Sequence, residues 1–443
     1  MKIRFNKALL FFFVFFISAS ATLAGEYMQA DAAIGIDSNV SDGKYSILEI
    51  SNIASRNNIK VLVLTDSFSM RWQYGLWPFR NVLKKTVENN SVSGYGIKRY
   101  LNEIECAQKA HPQMQVVAGL EVSPFYYWQG SIFRDNLRIK DWHKQFLVIG
   151  LDSLSSYRML PVIGNKRGLA GPFSAKGALC LFVPLFMLLA GVFILYKIIS
   201  SPDFYYDIRL KTYSKGKIFA GLLLFLLGAL FLLNNFPFRD CKFDQYTQKA
   251  GVTPYQNLID YVDAKGGLTF WSHPEARNVD SMGTVNIETG DFSEDLLLTE
   301  NYTGFAILHA GYEKIGRPQG IWDELLTQYC QGLRKRPVFA IGELDYEREG
   351  DLSDYLRDLR TVLLVRELDK KEALLALKNG RMYVKRNAPY FVLDKFTLKD
   401  EASGVEKTHG EKIKTGGKVK IKIAGHFLKA NETPLSIALI KDG

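Results

Sequence analysis

Two kinds of apolar pattern alternate along this chain. Short runs rich in β-branched residues recur at Ala32–Asp37, Val61–Thr65, Val116–Glu121, Phe146–Leu151, Leu268–Trp271, Gly304–Leu308 and Val338–Ile341. Longer amphipathic stretches separate them: Tyr45–Asn57 sets Ile47, Ile50 and Ile53 on one face, and Tyr100–Ala110, Ile321–Leu333 and Leu356–Leu359 keep the same helical spacing. Apolar strands alternating with helices predict an α/β fold with a mostly parallel sheet wrapped by helices, and seven strands suit a barrel better than a small open sheet. From about Pro389 the period drops to two, as in Val419–Ile423, with Gly-rich turns between. This predicts a small β-domain over residues 389–443, with room for only three or four strands. A free-standing sandwich needs more, so the piece is expected to be cut short.

A third pattern interrupts the alternation. Gly177–Tyr196 and Ile218–Phe236 are uncharged, rich in Leu and Phe, and without a polar stripe. Each is about 20 residues, enough for a helix to cross a hydrocarbon core of about 30 Å. Two crossings return the chain to the side it left. Residues 31–155 and 251–388 are therefore expected to be the halves of one barrel, with 156–250 as a membrane insertion between its fourth and fifth strands. Such an insertion is tolerated because loop-closure entropy grows slowly with length.

The first 24 residues repeat the theme: Lys2, Arg4 and Lys7 precede the apolar stretch Ala8–Ile17 and small residues up to Ala24. This reads as a secretory signal or, uncleaved, as an anchor. The loop between the two crossings carries Lys197, Arg209, Lys211, Lys215 and Lys217 against Asp203 and Asp207, which assigns it to the cytoplasm. Arg158, Lys166, Arg167, Lys176, Arg239 and Lys242 on the outer flanks weaken that asymmetry. The expectation is a multi-pass membrane protein whose globular part is exported.

The net charge of +10 changes this picture little. Many of the bases flank the apolar segments, and others lie between Lys407 and Lys422; no basic stripe interleaved with aromatics is present. The expected partner is the lipid bilayer and not nucleic acid. Four cysteines are too few for a disulfide framework; Cys106 and Cys330 are open to pairing or to free burial. There is no Gly-x-Ser-x-Gly elbow, Walker loop or dinucleotide fingerprint. The aromatic run Phe125–Trp128 suits either a stacking wall at a site mouth or a membrane surface.

The strand ends carry the candidate chemistry: Asp37 and Asp42 after the first strand, Glu121 on the third, His273 after the fifth, Asp345 and Glu347 after the seventh. Barrel folds build their sites at strand C-termini. On the stretches Asp37–Gly43, Val61–Asp66, Gly119–Glu121, Gly266–Glu275, Ile341–Glu347 and Val362–Val365, followed by Ala376–Arg381, the sequence resembles the polymerase and histidinol phosphatase (PHP) family. The resemblance implies a distorted seven-stranded, TIM-like β/α barrel that binds two or three metal ions for phosphoester hydrolysis. Asp42, Glu121, His273 and Asp345 stand where the family has ligands. Gly35, Asp37, Ser67, Gln145 and Glu347 stand where it has histidines, with His143 two residues from one of them. His309 ends the sixth predicted strand without a family motif.

Glycine offers no donor, Ser67 is a poor neutral ligand, and the remaining carboxylate-weighted set suits a hard divalent ion. The expectation is a degraded metal site with a binding or scaffolding role, holding manganese, magnesium, zinc or no metal. The alternative is a working hydrolase that uses Asp37, Asp42, Glu121, His273, Asp345 and Glu347 around one or two ions. The implied ligand is a phosphorylated small molecule or a sugar, and no residue is assigned as catalytic.

Overall fold

In a computed structural model of the chain, residues 27–200, 211–248, 250–282, 285–307, 313–386, 391–427 and 439 are described. The leader, the loop between the apolar helices from 201 to 210, and His309 lie outside them.

The main sheet contains β1 (Met28–Ile36), β2 (Val61–Leu64), β3 (Gln115–Val122), β4 (Phe146–Ile149), β5 (Leu268–Trp271), β6 (Gly304–Ala306), β7 (Phe339–Ile341), β8 (Leu359–Val365) and β9 (Met382–Arg386). Their spatial order is β7-β6-β5-β4-β3-β2-β1-β8-β9. Neighbours from β1 to β3 and from β5 to β7 are parallel, while β4 is antiparallel to both β3 and β5. The segment after β7 returns to β1: Leu344 N donates to Ile34 O at 2.8 Å, Tyr346 N to Gly35 O at 3.0 Å, and Asp37 N to Tyr346 O at 2.9 Å. The fold is thus mixed α/β around a nearly closed, barrel-like sheet.

Strand periodicity accounts for its two apolar layers. Ala32 and Ile34 of β1, Val61 and Val63 of β2, Leu147 and Ile149 of β4, and Leu268 and Phe270 of β5 form one buried cluster, which Ala373, Ala376 and Leu377 of helix Lys370–Asn379 join. The alternate residues, such as Ala33, Leu62, Leu64 and Val148, meet Ile47, Ile50, Tyr100, Leu258 and Ile259 of the surrounding helices. With both faces covered, these strands are apolar throughout. The helix Ile47–Arg56 opens with a capping box between Ser46 and Glu49.

Two helices, Ala175–Ile199 and Lys211–Asn235, are long and apolar enough to cross a membrane, and only 11% of each apolar window is buried. They pack on each other through glycines. A Cβ at Gly191 would lie 2.6 Å from Phe225 N, and one at Gly228 2.6 Å from Leu188 N. Small residues are what let apolar helices approach this closely.

A three-stranded sheet, Phe391–Asp400, Glu406–Thr408 and Val419–Phe427, follows β9. Two sequence expectations change. Cys106 and Cys330 are free and exposed, neither paired nor buried. The run Phe125–Trp128 is mostly packed inside, with only Tyr127 half-buried. Phe125, Tyr126 and Trp128 are buried, with Tyr126 and Trp128 edge-on to Trp142 and Tyr74 respectively. Trp128 N also donates to Gln245 O at 2.7 Å, which ties the run to the chain just beyond the apolar helices.

Candidate metal centre

The C-terminal ends of β1, β3, β5 and β7 bring an acidic cluster together. Suitably placed oxygens of Glu121, Glu343 and Asp345 and a ring nitrogen of His273 lie within 4.8 Å of one another. Glu121 is delivered by β3, His273 by the turn after β5, and Glu343 and Asp345 by the segment that closes the sheet onto β1. Both His273 (φ 31°) and Asp345 (φ 47°) hold left-handed backbone conformations. These are uncommon for residues with a Cβ and concentrate at functional sites.

Glu343 is the ligand candidate that the sequence reading did not single out. The signal was present in the period-2 spacing of Glu343, Asp345 and Glu347, which places alternate side chains on one face of an extended segment. The structure adds the reason for Gly35. Its φ is +88°, and a Cβ there would lie 2.7 Å from Glu343 Cγ and 3.0 Å from Leu344 N. The carboxylate arm of Glu343, itself only 1% exposed, occupies the space next to the position where the resemblance calls for a histidine.

Gln145 has a defined part as well. Its Nε2 donates to Glu121 Oε2 at 2.7 Å, and its Oε1 meets His273 Nε2 at 2.9 Å. In this orientation the amide presents its oxygen to the imidazole, which sets the His273 proton on Nε2. Nδ1 is then the bare nitrogen. It lies 3.9 Å from Asp345 Oδ2, and the single hydroxyl proton of Ser272 has two acceptors within reach, Nδ1 at 2.9 Å and Glu343 Oε1 at 2.5 Å. Gln145 therefore orients the histidine as the outer partners of metal-bound imidazoles do.

Asp37, Asp42 and Glu347 lie at the same end of the sheet but outside that group of four. Asp37 Oδ2 accepts from Ser41 Oγ at 3.0 Å. Ser41 Oγ also reaches Asp66 Oδ1 at 2.8 Å, and that oxygen accepts from Ser38 N and Ser38 Oγ as well. Asp66 is fully buried, and its Oδ2 has no hydrogen-bond partner. Asp42 pairs with Arg348 Nη2 at 3.8 Å. A cavity of about 510 Å³ opens over the site and is lined by Asp42, Glu121, His273, Asp345 and Glu347. His143 lines it too, half-buried, and burial above all holds its imidazole down at about 4.

The electrostatics follow from this crowding. Burial, then the charges of Asp345 and Glu343, push the Glu121 carboxyl well above its usual range. Burial, Asp66 and Glu121 do the same to Asp37, and burial with Asp345 raises Glu347. Carboxylates that raise one another's pKa are stabilised by protons or by a cation. Three carboxylates and one imidazole suit a divalent ion of the magnesium, manganese or zinc type.

No family model matches the chain, and no curated protein does. Solved structures that align with it include a two-domain protein from Bacteroides vulgatus containing a PHP-like metal-dependent phosphoesterase that was itself assigned by prediction. That alignment has 9% identity and a TM-score of 0.36, covering 92% of this chain and 88% of that one. A protein from Bifidobacterium adolescentis, provisionally described as a metal-dependent phosphoesterase, aligns at 13% identity and a TM-score of 0.29, over 74% of this chain and 91% of that one. An amidohydrolase from Chromobacterium violaceum with bound sulfate and no metal aligns at 12% identity and a TM-score of 0.30, over 72% and 89%.

Proposed function

We propose that the chain is a membrane-held barrel of the PHP type, its seven expected strands extended to a nine-stranded sheet, in which a polymetal phosphoesterase centre has been reduced to a site for one divalent cation, retained for binding a small anionic ligand. Glu121, His273, Glu343 and Asp345 would hold the ion, and when bound it would supply the positive charge that offsets the three carboxyl groups among them. The observation that carries this reading is the hydrogen-bonded chain from Glu121 through Gln145 to His273. It gives Gln145 a positioning part around one ion, at a place where the resemblance calls for a ligand to another. Asp66 Oδ1 likewise accepts from Ser38, and the single hydroxyl proton of Ser41 is shared between Asp66 Oδ1 and Asp37 Oδ2.

The ligand class follows from the cavity. It is polar, sized for a small molecule, and lined by Arg277 as well as by the acids, so a phosphorylated small molecule or sugar acid bridged to the cation is the fitting occupant. The length and apolar composition of the two helices support a membrane setting for this site, and the charge pattern of the sequence favours a barrel outside the cytoplasm.

The test is phosphoester turnover. The full chain, purified in neutral detergent, is assayed on a generic aryl phosphate with manganese, magnesium or zinc added, beside the His273→Ala variant. The expected result is equal, background turnover in both. Turnover in the wild type that His273→Ala abolishes would establish the hydrolase reading instead.

A further inference from the structure

A second cavity has the opposite charge; Phe68, Ser69 and Arg71 line it, next in sequence to Ser67 and Met70 of the acidic cavity. The two strands Arg71–Gly75 and Lys84–Glu88 form a hairpin that leans on the end of helix Lys211–Asn235. Asn81 N donates to Asn234 Oδ1 at 2.9 Å, Asn81 Nδ2 to Asn234 O at 2.7 Å, and the rings of Phe79 and Phe231 are 4.7 Å apart. Beside this joint a cavity of about 860 Å³ opens between the hairpin, the segment after residue 158 and the segment from Cys241 to Tyr246.

Six cations line it: Arg71, Arg80, Lys84, Arg158, Lys166 and Arg167, against the acids Glu88 and Asp244. The acids are spoken for, Glu88 lying 3.8 Å from Arg71 and Asp244 3.7 Å from Arg80, whose guanidinium also stacks on Tyr246 at 3.8 Å. Among the described residues, no carboxylate lies within ion-pair distance of Lys84, Arg158, Lys166 or Arg167. Lys84 donates to Gln73 Oε1 at 3.2 Å, and burial with the Lys166 and Arg71 charges holds its ammonium below the usual range. Cations gathered in one concavity without counter-charge are a site for an anion. At the tip of the hairpin, Trp77 is 79% exposed. An indole presented beside the end of an apolar helix suits the headgroup layer, where tryptophan concentrates.

We infer that this cavity binds a phosphate-bearing anion at the membrane surface, gripped by Lys84 and Lys166 with Arg158 and Arg167 around it. The lipid source of that phosphate rests on reading the two apolar helices as membrane-spanning; the anion site itself rests only on the cavity. Arg158, Lys166 and Arg167 are also among the bases that weaken the charge asymmetry across the hairpin, and an anion site supplies the reason they are there.

The test uses the full chain in neutral detergent, with thermal melting and native mass spectrometry as readouts. Three probes are added: phosphatidylglycerol, phosphatidylcholine and inorganic phosphate. The expected result is that phosphatidylglycerol remains bound and raises the melting midpoint while phosphatidylcholine does neither. The double variant Lys84→Gln with Lys166→Gln weakens that binding by about 30-fold, since each base near an anionic headgroup contributes about 1 kcal/mol. Lys84→Arg with Lys166→Arg keeps the charge and retains binding. Protection by inorganic phosphate equal to that by phosphatidylglycerol, and lost in the Gln variant, supports the anion site with a soluble source. Equal effects of the two lipids, or binding unchanged in the Gln variant, would overturn the inference.

Discussion

The backbone at Gly35, with φ at +88° and Glu343 Cγ 2.7 Å from its Cβ position, is closed to larger residues while Glu343 is in place. Gly35→Ala is expected to lower stability by about 1–3 kcal/mol through backbone strain and overlap, read as a lower urea midpoint. Gln145→Leu is expected to weaken manganese binding by about 10- to 100-fold, as loss of an outer-shell partner does, with titration calorimetry as the check. The buried carboxyls set a pH dependence. The folded-state values of Glu121 and Asp37 are raised, so their contribution is fully present below the unfolded values, near 4.5 and 3.8, and is lost as pH rises through the folded values. In chelator, the melting midpoint therefore falls as pH is raised above about 4.5, and added manganese flattens the fall. At this scale the sequence exposed Asp42, Glu121, His273, Asp345 and Glu347 as a common end of the fold because they follow or end apolar strands. It hid Glu343 and the part of Gln145, since both depend on which strands become neighbours when the sheet closes.

Local periodicity located the seven core strands within a few residues, and Leu268–Trp271 coincides with its strand. The helix expected at Leu356–Leu359 is Leu352–Asp358, and the chain turns there directly into β8, which pairs antiparallel with β1. A continuous apolar run such as Val362–Val365 suits any buried strand, so its direction was not legible. The small sheet of Tyr127–Gln129, Arg138–Lys140, Asn278–Met282 and Val285–Thr289 was missed for a related reason. Segments of three to five residues are too short to display a period. The apolar helices were legible in length but not in their contact surface, which runs through Gly191, Gly221 and Gly228. Gly191→Leu with Gly228→Leu is expected to separate the pair and lower the melting midpoint in detergent. Gly216→Leu, with nothing within 4 Å of its Cβ position, leaves the midpoint unchanged.

Across the whole molecule, the apolar insertion lies between β4 and β5, so residues on either side of it meet in one site: Gln145 bonds His273 across 128 positions. Both halves must therefore share a compartment. In intact cells producing a chain whose sole cysteine is Cys330, a membrane-impermeant maleimide is expected to label it, and to leave Ser201→Cys unlabelled in a chain otherwise free of cysteine. The reverse pattern would place the barrel in the cytoplasm. On the proposed reading the acidic centre would take a cation and the basic cavity an anion at the lipid surface. Metal stoichiometry bears most directly on this account. Elemental analysis of the full chain, loaded with manganese and freed of excess, is predicted to give one ion per chain, lost in a Glu343→Gln and His273→Ala double variant. Two or more ions per chain, or one that survives in that variant, would contradict it.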